Sequence, residues 1–195
     1  MKKKKKISLR PFLIVLGATL LSACGFGDVD LKWSEEVQLA DGQVIVIQRA
    51  AKGEVQGEGF ARTGWVPTEM TLAFEGMQVG LKPPPEWRTK YTPILLDYDA
   101  STRTWSVVGT FNYCEEWRDL GKPALPYIEY RSQDGAPWGI VPLEQRLIGW
   151  KRNLLTGPSS QGEPALLTVE GKATRGGNSA SKYRKIVPVW KDNFC

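Results

Sequence analysis

Apolar and polar residues alternate around the dipeptide Asp41-Gly42, and this is the clearest pattern in the chain. Residues 33–40 alternate towards it, and residues 43–49, which are rich in valine and isoleucine, return from it. Asp-Gly between two such segments is typical of a β-hairpin, because the tight turn needs positive φ angles. The pattern therefore predicts two antiparallel strands joined at Asp41-Gly42.

The register of this hairpin decides which side chains reach the core. A two-residue loop pairs Leu39 with Val44 and Val37 with Val46. Because side chains alternate between the two faces of a strand, Trp33 then shares their apolar face. We expect the polar residues between them to face solvent.

Three more pairs of short apolar segments flank turn signals and predict further hairpins. They are residues 68–74 with 77–81, 93–98 with 105–111, and 126–131 with 139–141. The second of these pairs is almost continuously apolar, which predicts that it is central and covered on both faces. The remaining predictions are a loop at 50–66, short helices at 113–120 and 143–155, and a late strand at 164–170.

These elements predict a mainly β fold, an antiparallel, hairpin-rich single domain with one or two short helices. We place this domain at residues 31–195, with a basic C-terminal segment.

The N-terminus follows a different pattern. Lysines from Lys2 to Lys6, and Arg10, precede an apolar stretch of 13 residues, 11–23. A basic segment before a short apolar stretch is typical of a secretory signal peptide. A membrane-spanning helix needs about 20 apolar residues, which disfavours the alternative of an uncleaved anchor. An ordinary signal peptide is the other alternative, and Leu21 disfavours it because such cleavage sites prefer small residues.

The residues Leu21-Ser22-Ala23-Cys24 resemble the lipobox of bacterial lipoproteins. The resemblance implies that Cys24 receives a diacylglycerol, that residues 1–23 are removed, and that residues 24–30 form a lipidated tether. It makes the lipid bilayer a partner of the chain through acylated Cys24. Glycine, not aspartate, follows the cysteine, which by the same resemblance favours the outer membrane, with the domain facing the periplasm.

Removal of residues 1–23 changes the charge of the chain. The sequence has 26 basic and 21 acidic residues, and six basic but no acidic residues lie in 1–23. The mature chain thus carries a single excess negative charge, which argues against nucleic acid as a partner. Its length suits one domain with a substantial core.

Two cysteines remain once Cys24 is lipidated, Cys114 and Cys195. An even pair in an exported domain favours a disulfide. Two free thiols, or an intermolecular link through Cys195, stay open as alternatives.

The sequence contains no histidine, which excludes Ser-His-Asp and Cys-His catalysis and removes the commonest zinc ligand. Paired carboxylates remain, since glycoside hydrolysis needs only two. The candidates are Asp97 with Asp99 and Glu115 with Glu116, but acidic residues beside turns are usually solvated. We therefore predict no catalytic residue, no metal site and no cofactor.

Eight tryptophans are more than one core needs, so we expect some of them at the surface as a platform for ligands. Trp33 and Trp105 lie on predicted strands and are assigned to the core. The candidate binding surface consists of Trp87, Arg88, Trp117, Arg118, Trp138 and Trp150.

Basic residues gather near the C-terminus: Lys172, Arg175, Lys182, Arg184, Lys185 and Lys191. They are suited to the phosphates of anionic lipid or lipopolysaccharide. A solvated segment without a partner is the alternative.

Residues 33–49 and 93–155 resemble a family of uncharacterised bacterial envelope proteins. The shared motifs are Trp-x-Glu-x-Val, Asp-Gly-x-Val-Ile-Val, Leu-Leu-Asp, Pro-Tyr-Ile-Glu-Tyr and Val-Pro-Leu. This resemblance implies no activity. The expected function is that of a membrane-anchored envelope lipoprotein with a non-catalytic binding or scaffolding domain, its partner an envelope protein or cell-wall glycan. The alternatives are a carboxylate-dependent cell-wall glycan hydrolase and a surface-exclusion or inhibitor lipoprotein.

Overall fold

The computed structural model describes residues 28–56, 64–75, 81–111, 114–174 and 185–189. These residues form one domain that is mostly β-strand, with two short helices, which confirms the predicted fold class. The predicted signal peptide 1–23, the predicted lipidation site Cys24 and the C-terminal Cys195 lie outside the described residues. Within the described ranges, every helix is too short or too polar to cross a membrane.

The described residues contain nine strands: β1 (Asp28–Gln38), β2 (Val44–Gln56), β3 (Gly64–Ala73), β4 (Trp87–Thr89), β5 (Thr92–Asp99), β6 (Thr104–Thr110), β7 (Tyr127–Gln133), β8 (Gly139–Val141) and β9 (Leu166–Leu167). Sheet A has the order β4-β3-β2-β1-β9, and sheet B has the order β5-β6-β7-β8. Neighbouring strands are antiparallel, except that β9 runs parallel to β1. The helices are α1 (Cys114–Asp119) and α2 (Val169–Thr174), and Gln145–Leu147 form one 3-10 turn.

Side chains of the two sheets face each other and form the main core. The indole of Trp87 on β4 meets the ring of Tyr130 on β7 edge-on, with 5.4 Å between centroids. Phe74, directly after β3, lies 5.6 Å from Trp105 on β6. Edge-on and tilted aromatic pairs of this kind add to the stabilisation from apolar burial. The aromatic residues thus join sheet A to sheet B.

The outer face of sheet B is covered as well. Its apolar side chains pack against two residues of the C-terminal part of the chain, in a second core formed by Ile94, Leu95, Val108, Tyr127, Leu147 and Ile186. The prediction that the segments 93–98 and 105–111 are covered on both faces is therefore confirmed. The central position is right for β6 but wrong for β5, which is an edge strand of its sheet.

Asn153 protects the open edge of β5. Its side-chain oxygen accepts a hydrogen bond from Leu96 N (2.9 Å), and its side-chain nitrogen donates to Leu96 O (2.6 Å). The same nitrogen donates to Gln38 O at 2.9 Å, at the end of β1. The side-chain amide of Asn153 therefore makes the two hydrogen bonds at Leu96 that a neighbouring strand would make, which is one way to cover an unpaired edge. It also links sheet A to sheet B.

The first predicted hairpin is present, but its loop has three residues instead of two. Leu39 N donates to Gln43 O at 2.8 Å, and Gly42 N donates to Leu39 O at 3.0 Å. Gly42 has a φ of +90°, as the last residue of such a three-residue loop requires.

The longer loop shifts the register by one residue, so the predicted core face of β2 is wrong. Val37 pairs with Ile45, not Val46. Val44 and Val46 are 39% and 42% exposed, and Ile45 and Ile47 fill the core instead. A one-residue slip reverses every side chain of a strand because the period of a strand is two residues.

Three other local predictions also need correction. The loop expected at 50–66 is mostly strand, since β2 extends to Gln56 and β3 begins at Gly64. The helix expected at 143–155 is only a 3-10 turn, and the strand expected at 164–170 is β9 followed by α2. Residues 76–80 of the second predicted hairpin lie outside the described residues, and β3 pairs with β2 and β4.

The pairing of β2 with β3 contains an irregularity between Lys52 and Gly53. A Cβ atom on Gly53 would lie 2.0 Å from Val66 O and 2.5 Å from the ring of Trp65. Only glycine leaves room for this approach, which is a common reason for glycine inside a strand. The ring of Trp65 packs against Gly53, and its indole N–H donates to Pro158 O at 3.0 Å. Glycine at position 53 therefore also lets Trp65 hold the segment around Pro158.

We predict that Gly53→Ala lowers the free energy of unfolding by about 2 kcal/mol or more, because the methyl group overpacks against backbone. Urea denaturation measures the effect. Gly139→Ala is the matched control, since nothing lies within 4 Å of a Cβ at Gly139. Equal stability of the two variants would contradict the prediction.

Candidate functional site: a cleft above a buried charge network

Glu35 lies on the face of β1 that points into the protein, and its side chain is completely buried. A buried carboxylate is costly unless it is paired and hydrogen-bonded. Four donors surround it. One oxygen accepts hydrogen bonds from Arg49 (2.5 Å) and from the indole N–H of Trp33 (3.2 Å). The other accepts from Leu155 N (2.6 Å) and from Lys172 (3.0 Å).

Lys172 connects α2 to this network. Its ammonium also donates to the backbone oxygens of Glu36 and Asn153. Burial lowers the pKa of Lys172, and the charge of Glu35 partly offsets that effect. The side chain is only 12% exposed, so the sequence-based assignment of Lys172 to a lipid-binding or solvated segment is wrong.

Arg49 on β2 is the second cation of the network and is fully buried. Burial lowers its pKa, against the raising effect of Glu35. Its guanidinium lies 5.0 Å above the ring of Trp33 and donates to Leu155 O at 3.3 Å. Its Nε is buried without a hydrogen-bond partner among the described residues. Arg49, Glu35 and Lys172 thus form an ion triad in the interior.

A cleft of about 1200 Å³ opens beside this triad. It is lined by residues 38–40 at the end of β1, by much of the irregular segment 150–162, by residues of α2 and by Lys185. Leu39, Leu95 and Leu154 supply apolar surface, and the largely buried Lys172 also lines the cleft. A concave site with an apolar floor and convergent polar groups is the usual form of a binding site.

The rim of the cleft is basic. Lys151 and Lys185 pair in an isolated antiparallel bridge, and both are exposed and line the cleft. None of the described lining residues is acidic. The cleft therefore presents positive charge to a ligand.

A second charge network crosses the outer face of sheet B. Glu129, fully buried, accepts from Arg131 at 2.6 Å and from Glu144 N at 2.7 Å. Arg131 and Arg146 share the carboxylate of Glu144 at 2.8 and 2.7 Å. Arg146 lies 3.5 Å from Asp97. Alternating charges therefore fasten the segment before the 3-10 turn to the sheet.

The four carboxylates considered for catalysis differ in burial and in hydrogen-bond partners. Asp97 is buried and accepts a hydrogen bond from Ala40 N at 3.0 Å, so the expectation that it is solvated is wrong. Asp99, at the turn, accepts from Ser101 N at 2.9 Å. On α1 Glu116 is buried and Glu115 is exposed, because consecutive helical residues point in different directions.

The assignment of Trp87 to the candidate binding surface is wrong. Trp87 is 1% exposed and belongs to the core, since it faces inward from β4, opposite Leu72. Arg88 next to it points outward and pairs with Glu86 and Glu69.

The other three candidate tryptophans are half-buried. Trp117 on α1 donates to Pro123 O at 3.1 Å, and Trp138 donates to Pro85 O at 2.8 Å. Arg118 is exposed, 3.6 Å from Glu115. Trp150 alone among the candidates lines the cleft.

Cys114 is disulfide-bonded at the first residue of α1. Its predicted partner, Cys195, lies outside the described residues, so the pairing stays a prediction. Of the basic C-terminal residues, Arg175, Lys182, Arg184 and Lys191 also lie outside them. Within the described ranges no group of three or more acidic or cysteine residues is arranged to hold a metal ion.

Sequence reasoning missed the triad of Glu35, Arg49 and Lys172. One signal was available, since Glu35 interrupts the apolar side of β1 between Trp33 and Val37. Its partners were not detectable, because they lie 14 and 137 residues away.

Comparison with protein-family models, with curated proteins and with solved structures found no match. The site must therefore be interpreted from its own geometry.

We predict that Glu35→Gln lowers the free energy of unfolding by about 3 kcal/mol or more, because two buried cations lose their counter-charge. Urea denaturation measures it, with the exposed Glu54→Gln as the control. The triple variant of Glu35, Arg49 and Lys172 to Met should be less destabilised than Glu35→Gln alone. A single variant as stable as its control would contradict the role of the triad.

We predict opposite pH effects for Asp97→Asn and Asp99→Asn. Burial raises the pKa of Asp97 above its ordinary 3.8, so the unfolded chain loses this proton at a lower pH than the folded protein does. As pH rises past 3.8, the free energy of unfolding of the wild type therefore falls relative to that of Asp97→Asn. Hydrogen bonds from Ser101 lower the pKa of Asp99. Relative to Asp99→Asn, the wild type therefore loses stability as pH falls below 3.8. Urea titrations between about pH 3 and 7 measure both slopes, and slopes of equal sign would contradict this assignment.

Proposed function

We propose that this protein is an envelope lipoprotein, acylated at Cys24, whose β domain binds a ligand in the cleft and catalyses no reaction. The cleft of about 1200 Å³ beside the buried triad is the observation that carries the binding role.

The start of the domain fits a short lipid anchor. β1 begins at Asp28, inside the segment expected to be a tether. Three residues separate it from Cys24, and the four residue-to-residue steps span at most about 14 Å. A domain attached in this way stays next to the bilayer, since two or three acyl chains make release slow.

The cleft is well placed for a ligand that approaches from the compartment. β1 runs eleven residues from Asp28 to Gln38, a rise of about 33 Å. The cleft begins at Gln38, at the far end of this strand from the lipid attachment. Anchoring at Cys24 therefore leaves the cleft open to soluble or cell-wall components.

The described carboxylates support binding over hydrolysis. A glycosidase needs two carboxyl groups across one bond. Asp97 and Glu129 are instead engaged by backbone amides and arginines, and Glu35 is enclosed by its four donors. Each of these groups stabilises a contact between segments of the chain.

We predict that Cys24→Ala moves the protein from the membrane to the soluble fraction and blocks incorporation of labelled fatty acid, because the acceptor thiol is lost. Membrane fractionation and metabolic labelling in cells measure both effects. Ser22→Ala is the matched control, since it keeps a small residue before the cysteine and should fractionate as wild type. Unchanged fractionation and labelling of Cys24→Ala would overturn the anchor.

A further inference from the structure

We propose that Lys151 and Lys185 form the recognition site of the cleft, and that its ligand is an acidic glycan, a sugar chain bearing carboxylate or phosphate groups. This inference rests on the binding role proposed above and names the class of ligand.

The first support is the unusual pairing of the two lysines. Gly149 N donates to Ile186 O at 2.7 Å and Ile186 N donates to Trp150 O at 2.9 Å, which fixes Lys151 directly opposite Lys185. Side chains directly opposite in an antiparallel pair have Cβ atoms about 5 Å apart, and like charges there repel. The fold therefore holds two positive charges together at a local cost.

The second support is that these two charges have no counter-ion. Within the described part of the chain, neither Lys151 nor Lys185 forms an ion pair. Glu163, in the same segment, accepts a hydrogen bond from Ser159 N at 2.7 Å instead. Two anionic groups of a ligand would relieve the repulsion, and a concave site strengthens their attraction.

Lys172 does not contribute free charge to the site. Its ammonium is held by Glu35 and by two backbone oxygens. Arg152 also lines the cleft, but its guanidinium donates to the hydroxyl of Thr156 at 2.8 Å. The charge that we assign to recognition is therefore that of Lys151 and Lys185.

The rest of the lining favours an anion that is built on a sugar chain over an anion without one. The cleft carries hydroxyl and amide side chains from Gln38, Thr156, Ser159 and Gln161, together with the indole of Trp150. Hydroxyl and amide groups hydrogen-bond sugar hydroxyls, and an indole supplies apolar surface with a polar handle. The volume of about 1200 Å³ exceeds that of most small-molecule sites, about 300–1000 Å³, and suits several linked sugar rings.

A membrane surface fits this cleft less well. The site is concave, and it lies at the end of β1 away from Asp28. The length of β1, about 33 Å, separates that end from the start of the strand, where an anchor at Cys24 would attach. A bilayer is flat and would meet the opposite end of the domain first.

The test is isothermal titration calorimetry on the full chain, purified in non-ionic detergent, with tetragalacturonate as the acidic glycan. Maltotetraose provides a sugar frame without charge, and tripolyphosphate provides charge without a sugar frame. Vesicles of phosphatidylglycerol test the lipid surface. We expect tetragalacturonate to bind at low salt, to bind more weakly as salt rises, and to bind more tightly than all three other probes.

The double variant Lys151→Gln with Lys185→Gln should weaken tetragalacturonate binding about tenfold or more. Lys151→Arg with Lys185→Arg should keep it, because the charge is preserved. Lys32→Gln with Lys82→Gln is the matched control, since it removes two exposed lysines outside the cleft. The glutamine variant should also unfold at a higher temperature than wild type at low salt, which shows directly that the two lysines repel.

Absence of tetragalacturonate binding would overturn the proposal, as would equal loss in the rim and control variants. Tighter binding to tripolyphosphate or to vesicles would also overturn it, since neither is a glycan. None of these results depends on acylation, and the fractionation and fatty-acid labelling of Cys24→Ala test the anchor separately.

Discussion

The buried carboxylate of Glu35 is the constraint on which the C-terminal half of the domain depends. It lies on the core face of β1 and must be satisfied by donors from elsewhere in the chain. Arg49 comes from the next strand, but Leu155 and Lys172 come from segments more than one hundred residues away. An unpaired charge at this depth would cost several kcal/mol, so the fold is complete only when those segments are in place.

The same requirement explains why an irregular segment has a fixed shape. Residues 150–157 form neither helix nor strand, yet hydrogen bonds at Asn153 and at Leu155 fix the position of this segment. Asn153 binds the edge of β5 and the end of β1, and Leu155 binds Glu35 and Arg49. Loops positioned by a rigid scaffold commonly provide binding surfaces. Here the scaffold is the pair of packed sheets. The irregular segment 150–157 forms a wall of the cleft, and its contacts with the ion triad hold it in position.

Local sequence predicted the β hairpins well and their surroundings poorly. The Asp41-Gly42 turn, the strands beside residues 99–104 and the short helix after residue 113 follow from turn chemistry and apolar pattern. The register of the first hairpin did not, because one extra loop residue exchanges Val46 for Ile47 in the core. The segment 143–155 has an apolar pattern compatible with a helix, but pairing with β5 and Glu35 outweighs that weak preference.

The sequence by itself determined the class of fold, because alternation and turn residues act over a few positions and need no distant partner. It also carries the features that suggest export, since a signal peptide is read as linear sequence. Only the tertiary structure decided that Trp87 is core, that Asp97 is buried, and that Lys151 lies opposite Lys185. Each of these depends on contacts between segments that are distant in sequence. Burial and charge pairing arise only from such contacts, so local sequence does not reveal them.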